Sequence, residues 1–256
     1  MNRISSYFAW VMLASTILLL SMGSRAADLY DTAVQHPGRS AEDLKRDAAE
    51  HPAELLRLAG LKPGMKVADV MAATGYYSEL LSYVVGPTGH VLLLNNTAYD
   101  KWSEGGWEKR LAGNRLPNVE HRTVDLEHLD LPDHSLDALI LIKTYHDFYW
   151  IDTSPKAIWP KMDAAVVLDQ LTRVLKPGGL LLLEDHSAKP GTGSAAAGTL
   201  HRIDETYTVH DFEKRGFKVI ARSDLLRRPD DKRELVSYTP PGLGKTDRFV
   251  LVFRKQ

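Results

Sequence analysis

The chain has no cysteine. Disulfides, thiolate metal sites, cysteine nucleophiles and a lipid-modified cysteine anchor are therefore excluded. It also lacks a charge excess, with 32 Lys and Arg against 33 Asp and Glu. A general electrostatic grip on nucleic acid needs a basic surplus, so that partner class is set aside. Neither a GxGxxG fingerprint nor a P-loop occurs, which removes the main support for dinucleotide or nucleoside-triphosphate binding. A membrane-spanning helix needs ~20 apolar residues. The run from Phe8 to Leu20 is shorter and is broken by Ser15 and Thr16, so no stable span is expected. Repeats and long linkers are missing as well. The remaining composition, 44% hydrophobic and 25% charged, is that of a folded globular chain and not of a disordered one.

Arg3 precedes the apolar run, and Ser24 and Ala26 stand at the −3 and −1 positions of a cleavage site before Ala27. That layout reads as a secretory signal peptide over residues 1–26. The mature protein is expected outside the cytoplasm, periplasmic or secreted.

Short unalternating apolar runs follow at 67–71, 91–94, 138–142 and 180–183. Strands buried on both faces look like this, which points to a parallel sheet covered by helices. Helical spacing fills Tyr76 to Val85 and Asp163 to Leu175, the latter halted by Lys176-Pro177-Gly178-Gly179. Ser40 with Asp43 predicts a helix start resembling a capping box, and Pro52 restarts a helix that ends at Gly60. Two further strands are expected near 217–222 and 248–254. The mixed-charge segment from Asp224 to Asp247 reads as a solvated loop. The expected organisation is an N-terminal extension with helices over 27–60 and one α/β domain over 61–256.

Within Val67 to Leu81, Asp69 lies near the end of a strand. The turn Ala72-Ala73-Thr74-Gly75 follows and leads into a helix. Such a turn lets backbone approach a ligand at the carboxyl edge of a parallel sheet. His146 and His186 each fall just beyond a buried strand, beside Asp147 and Asp185, which could orient an imidazole. The aromatic residues Tyr145, Phe148, Tyr149 and Trp150 could wall a pocket there.

The stretch Asp69 to Gly75 resembles the first motif of class I S-adenosylmethionine-dependent methyltransferases, an acid followed by a glycine-rich turn. The run Leu175-Lys176-Pro177-Gly178-Gly179 is similar to that family's approach to its fifth strand. Tyr145-His146-Asp147, Asp185-His186, Thr199 to Asp204 and Gly244 to Leu251 resemble, more narrowly, a group of signal-peptide-bearing predicted methyltransferases. The resemblance covers residues 40–256. It implies a Rossmann-like α/β fold with a seven-stranded, mostly parallel sheet ordered 3-2-1-4-5-7-6 and helices on both faces. It also implies S-adenosyl-L-methionine as cofactor, held by Asp69, Ala72, Ala73, Thr74, Gly75, Asn95 and Asp125. In the family, the residue at position 95 takes the ribose hydroxyls and the one at 125 faces the adenine amino group. Met71 and Ala73 stand where glycine is usual, and Asn95 where an acid is usual. Asn still accepts and donates hydrogen bonds but lacks the charge that strengthens them.

The expected reaction is therefore methyl transfer to an unidentified acceptor, expected to be a small molecule. His146, Asp147, Asp185 and His186 are the expected catalytic residues. His146 would orient or deprotonate the acceptor, and a carboxylate would hold a histidine in place. Two alternatives stay open. One is an exported binding protein of the same fold without methyl transfer. The other is a metal-assisted hydrolase built from His146, Asp147, Asp185, His186 and His201. No HExxH or similar spacing occurs, and the sequence assigns no metal ligands.

Overall fold

The computed structural model describes residues 28–152 and 157–256. The expected signal peptide, residues 1–26 with its cleavage before Ala27, lies outside the described residues. Strands β1 (Lys66–Val70), β2 (His90–Asn95), β3 (Val119–Thr123), β4 (Leu136–Ile142), β5 (Leu175–His186), β6 (Phe217–Ser223) and β7 (Arg248–Lys255) form one sheet. Their order is β3-β2-β1-β4-β5-β7-β6. The first five strands run parallel, and β7 is antiparallel to both β5 and β6. This is the expected topology.

The helices are α1 (Leu29–Val34), α2 (Ala41–Glu50), α3 (Pro52–Ala59), α4 (Tyr76–Val85), α5 (Thr97–Trp102), α6 (Gly106–Leu111), α7 (Ala164–Val174), α8 (Ala197–Leu200) and α9 (Glu205–Glu213). Alternate residues of a strand face opposite sides of a sheet, and the core divides accordingly. Ala68, Leu92, Leu139, Leu181 and Leu251 pack with Val167, Leu171 and Phe212 of α7 and α9. Val67, Val91, Ile140, Leu182 and Val250 pack on the other side with Leu55 of α3 and Leu80 of α4. Burial on both faces explains why these strands read as continuous apolar runs. Among the described residues, no helix is long and apolar enough to cross a membrane.

Helix starts follow their caps. The Ser40 side chain accepts from the Asp43 N–H at 3.0 Å. The reciprocal half of the capping box is missing, because the Asp43 carboxylate pairs instead with Arg110 at 2.7 Å. The Lys-Pro-Gly-Gly stop ends α7 at Val174 but is absorbed into β5. The ladder there jumps from Leu136↔Leu175 to Ala138↔Leu180.

The segment 224–247 is irregular and largely exposed, as expected of a loop, but buried ion pairs tie it to the fold. Arg202, wholly buried, pairs with Asp231 at 2.7 Å and donates to the Leu235 carbonyl at 2.8 Å. Asp247 accepts from the Arg228 N–H at 2.7 Å and from Arg233 at 2.9 Å. Of the interleaved charges, Arg227, Asp231 and Arg233 are partners within the fold. A second buried knot joins the N-terminal helices to the sheet. Arg248 donates to Glu50 at the end of α2 at 2.6 Å and to Glu184 on β5 at 2.7 Å, while Lys143 reaches Glu50 at 2.7 Å.

Candidate active site

The turn after β1 keeps a glycine-type backbone without glycine's composition. Met71, Ala73 and Gly75 have φ of 55°, 52° and 78°, the left-handed region that costs a residue with a Cβ roughly 1–2 kcal/mol. Asn95 holds the turn in this shape. Its Oδ1 accepts from the Ala73 N–H at 2.9 Å, and its Nδ2 donates to the Ala73 carbonyl at 3.0 Å. A carboxylate has no proton to give that carbonyl, so the amide at position 95 serves the turn. The charge expected there is supplied by Asp100 on α5, which accepts from Asn95 Nδ2 at 2.9 Å and pairs with His121 at 2.8 Å. Burial opposes the Asp100 charge, but hydrogen bonds from Thr123, Asn95 and His121 hold its pKa below the usual range.

Gly75 packs against its own chain. A Cβ there would lie 2.6 Å from Leu93 and 3.3 Å from Arg110, and Arg110 Nε also donates to the Thr74 carbonyl at 2.6 Å. Asp125 stands apart from the turn. It is exposed and lines a cavity of about 500 Å³ together with Asn96, Thr123 and Leu126. A neighbouring cavity of about 660 Å³ is walled by Phe148, Tyr149 and Tyr207, and the two share Glu127, Lys161 and Met162.

Asp69 is buried beneath the turn, accepting from Ser78 Oγ at 2.7 Å. Burial raises its pKa to about 6, against the pull of the Ser78 hydrogen bonds. A carboxyl raised in this way binds its proton more tightly folded than unfolded. Its contribution to stability therefore falls as pH rises from ~4 to ~6, by roughly 3 kcal/mol. Asp69→Asn keeps an acceptor for Ser78 and should erase that fall, giving higher stability above pH 6. Urea unfolding between pH 4 and pH 8 measures it, and an unchanged pH slope in the variant would refute the assignment.

A second cluster forms beyond β4 and β5. His146 opens a 3-10 turn (His146–Tyr149) after β4. Asp185 grips it twice, accepting from its backbone N–H at 2.9 Å and pairing with Nδ1 at 2.6 Å. The other ring nitrogen, Nε2, lies 3.3 Å from Asp147 Oδ1, and His201 Nδ1 lies 3.3 Å from the same oxygen. Asp147 Oδ2 accepts from the Tyr99 hydroxyl at 2.8 Å. Burial disfavours a charged His146, yet Asp185 and Asp147 together raise its pKa to about 9. Carrying that proton at neutral pH, the imidazole donates and orients; it does not act there as a base.

His186 does not join this group. It follows Asp185 directly along β5, and neighbouring residues of a strand point to opposite faces. Its Nδ1 pairs with Thr246 Oγ1 at 2.8 Å, and its ring centre is 6.0 Å from that of His146. Burial first, then the positive His146, push its pKa well down. The structure thus gathers Asp69, Ala72 to Gly75 and Asn95 at one place, and His146, Asp147 and Asp185 at another. Tyr99 and Asp100, one helical turn beyond the Asn96 cap, were not assigned from sequence. His201 entered there only as a member of the metal-assisted hydrolase alternative, and the structure places it beside Asp147.

The methyltransferase domain family matches residues 69–183. The ubiquinone/menaquinone biosynthesis C-methyltransferase UbiE of Ectopseudomonas mendocina is 33% identical over 155 residues, 60% of this chain and 52% of that protein. The chain thus spans about half the length of that curated relative. Among solved structures, a SAM dependent methyltransferase from Aquifex aeolicus is similar with a TM-score of 0.57 and 22% identity, over 84% of this chain and 97% of that one. The [4+2]-cyclase SpnF is similar with a TM-score of 0.59 and 14% identity, over 82% of each chain. At such identities the structural likeness speaks for the fold alone. Residues 69–183 therefore resemble a methyltransferase domain in sequence, carried on the fold of class I methyltransferases.

Proposed function

We propose that the protein transfers a methyl group from S-adenosylmethionine to a small-molecule acceptor held beside His146. The observation that carries this reading is the meeting of two features on one sheet edge. The glycine-type turn after β1 and the His146 turn after β4 leave adjacent strands, and Thr144 Oγ1 reaches the Val70 carbonyl between them at 3.4 Å. The residues fit the cofactor. The cavity beside Asn96 and Asp125 has room for the adenine. The Asn95–Asp100 pair would meet the ribose, and the Asp69–Gly75 turn the methionyl part. When bound, the cofactor supplies an electrophilic methyl on a sulfonium, so the chain has chiefly to align the acceptor and exclude water.

Asp185 fixes the His146 ring, and the half-buried Tyr99 closes the other side of Asp147. The aromatic cavity of Phe148, Tyr149 and Tyr207 suits a small acceptor. The curated relative's named role, C-methylation in ubiquinone/menaquinone biosynthesis, also favours one. Export to the periplasm or medium, after cleavage before Ala27, is part of the proposal and rests on residues 1–26. N-terminal sequencing of the protein from its producing cell tests that part, and an intact Met1 in the cytosol would overturn it.

A second reading, binding without methyl transfer, is favoured by the same turn. The Asn95 amide already serves Ala73 and Asp100, and Leu93 and Arg110 fill the space at Gly75. Calorimetry with S-adenosylmethionine and S-adenosylhomocysteine separates the two. Both should bind, and Gly75→Val should abolish binding while far-UV circular dichroism stays native, because the turn at φ 78° has no room for a branched side chain. Failure of either nucleoside to bind at millimolar concentration would sink the methyltransferase reading.

A further inference from the structure

We propose that the chain holds a divalent transition-metal ion of the zinc class between His146 Nε2, Asp147 Oδ1 and His201 Nδ1. The site goes beyond methyl transfer and does not depend on it. The three donor atoms come from two places far apart in sequence and lie within 4.8 Å of one another. The two contacts to Asp147 Oδ1 are both 3.3 Å. A tetrahedral ion with bonds of ~2.0–2.1 Å spaces its ligand atoms about 3.3 Å apart. Two of the three donor pairs are thus already set at the edge length of such a coordination sphere, and the third pair lies within 4.8 Å.

The surrounding groups have the arrangement that metal-bound histidines need. A ligating imidazole gives its remote N–H to a carboxylate, which fixes the tautomer and turns the lone pair toward the ion. Asp185 does this for His146 at 2.6 Å, leaving Nε2 to face the other donors. The ligating carboxylate is held in turn, since Tyr99 donates to Asp147 Oδ2 at 2.8 Å and leaves Oδ1 free for the ion. Charge also balances. The ion takes the place of the His146 Nε2 proton, and two carboxylates, Asp147 and Asp185, with two then-neutral imidazoles match the charge of one divalent cation.

The donor set chooses the ion class. Two imidazole nitrogens and one carboxylate oxygen suit zinc, cobalt and related ions, whereas calcium and magnesium prefer oxygen ligands throughout. Three protein ligands leave a coordination position open, as in catalytic sites and unlike closed structural ones. The rings of Trp150 and Tyr238 flank His201, with centres 5.0 and 4.5 Å away, and Tyr238 is 57% exposed. That is the side from which an ion, and then an oxygen of water or acceptor, would enter. His186, committed to Thr246, takes no part.

The test uses the chain stripped with chelator and titrated with zinc sulfate by calorimetry, in the absence of any nucleoside. One ion per chain is expected. Asp147→Asn and His201→Ala should each weaken binding by more than about 100-fold, and Asp185→Asn by about 10–100-fold. His210→Ala, on an exposed helix face, should leave binding unchanged. With cobalt chloride as probe, the wild-type chain should develop the intense visible bands of low-coordinate cobalt, and the Asp147 and His201 variants should not. Should His201→Ala fail to fold, Asp147→Asn carries the test alone. Well under one equivalent in the wild type, or wild-type affinity in Asp147→Asn, would overturn the site. Nucleoside calorimetry on the stripped chain is a separate measurement, so failure of the metal site and failure of methyl transfer are told apart.

Discussion

Arg248→Met is expected to cost about 3–5 kcal/mol of stability, the range for removing one partner of a buried ion pair. Arg248 sits between Glu50 and Glu184 at 2.6 and 2.7 Å and also donates to the Ala49 carbonyl at 2.8 Å. Glu184 is wholly buried, and its Oε2 already lacks a hydrogen-bond partner. Without the guanidinium its charge loses its hydrogen-bonded cation and keeps only the weaker field of Lys143 to offset the loss of water. Lys143 still reaches Glu50, so most of the damage falls on Glu184. Urea unfolding of the single variant and of Arg248→Met with Glu184→Leu measures this. The double variant should regain much of the loss, because no charge is then stranded. If both are equally unstable, the cost comes from packing and not from the stranded carboxylate.

His146→Ala is expected to lower methyl transfer by about 10²–10⁴-fold, the usual loss for a positioned acid–base group. Affinity for S-adenosylmethionine should stay within a few-fold. The fold should survive, because Asp185 keeps two backbone donors, the N–H groups of His146 at 2.9 Å and His186 at 2.7 Å. The measurement follows labelled methyl from S-adenosylmethionine into an acceptor found by screening, alongside nucleoside calorimetry and thermal unfolding. Turnover left intact, or a chain that no longer folds, would make His146 a structural residue.

These outcomes rest on contacts of very different legibility. The strands could be read because each central one is a short run of apolar residues, and both of its faces need covering. Helix ends could be read where the cap is local, as at Ser40, Pro52 and Gly60. What escaped was long-range pairing of polar groups. The Asp43 carboxylate left its expected capping partner for Arg110, 67 residues away. Asn95 read as a weakened ribose ligand, although its amide both accepts from and donates to Ala73. Its role becomes visible only once β1 and β2 lie side by side. The loop from Asp224 to Asp247 is largely exposed, but its anchoring was hidden because Arg202, which pairs with Asp231, lies in a different part of the chain. Asp185 and His186 are consecutive on a strand, so alternation gives them different hydrogen-bond partners, His146 and Thr246, although the two imidazole rings remain 6.0 Å apart.

The knot at Arg248 also sets an order on folding. Strand β7 lies between β5 and β6 in the sheet, and it carries the guanidinium that Glu50 and Glu184 require. A nascent chain still lacking residues 248–255 cannot pair β5 or β6 with their neighbour. Its N-terminal helices then have only Lys143 to hold Glu50 against the sheet. Completion of the native state therefore waits for the far end of the chain, long after the helices have been synthesised. If the chain is exported in the unfolded state, late locking would keep it competent for passage until translocation is done.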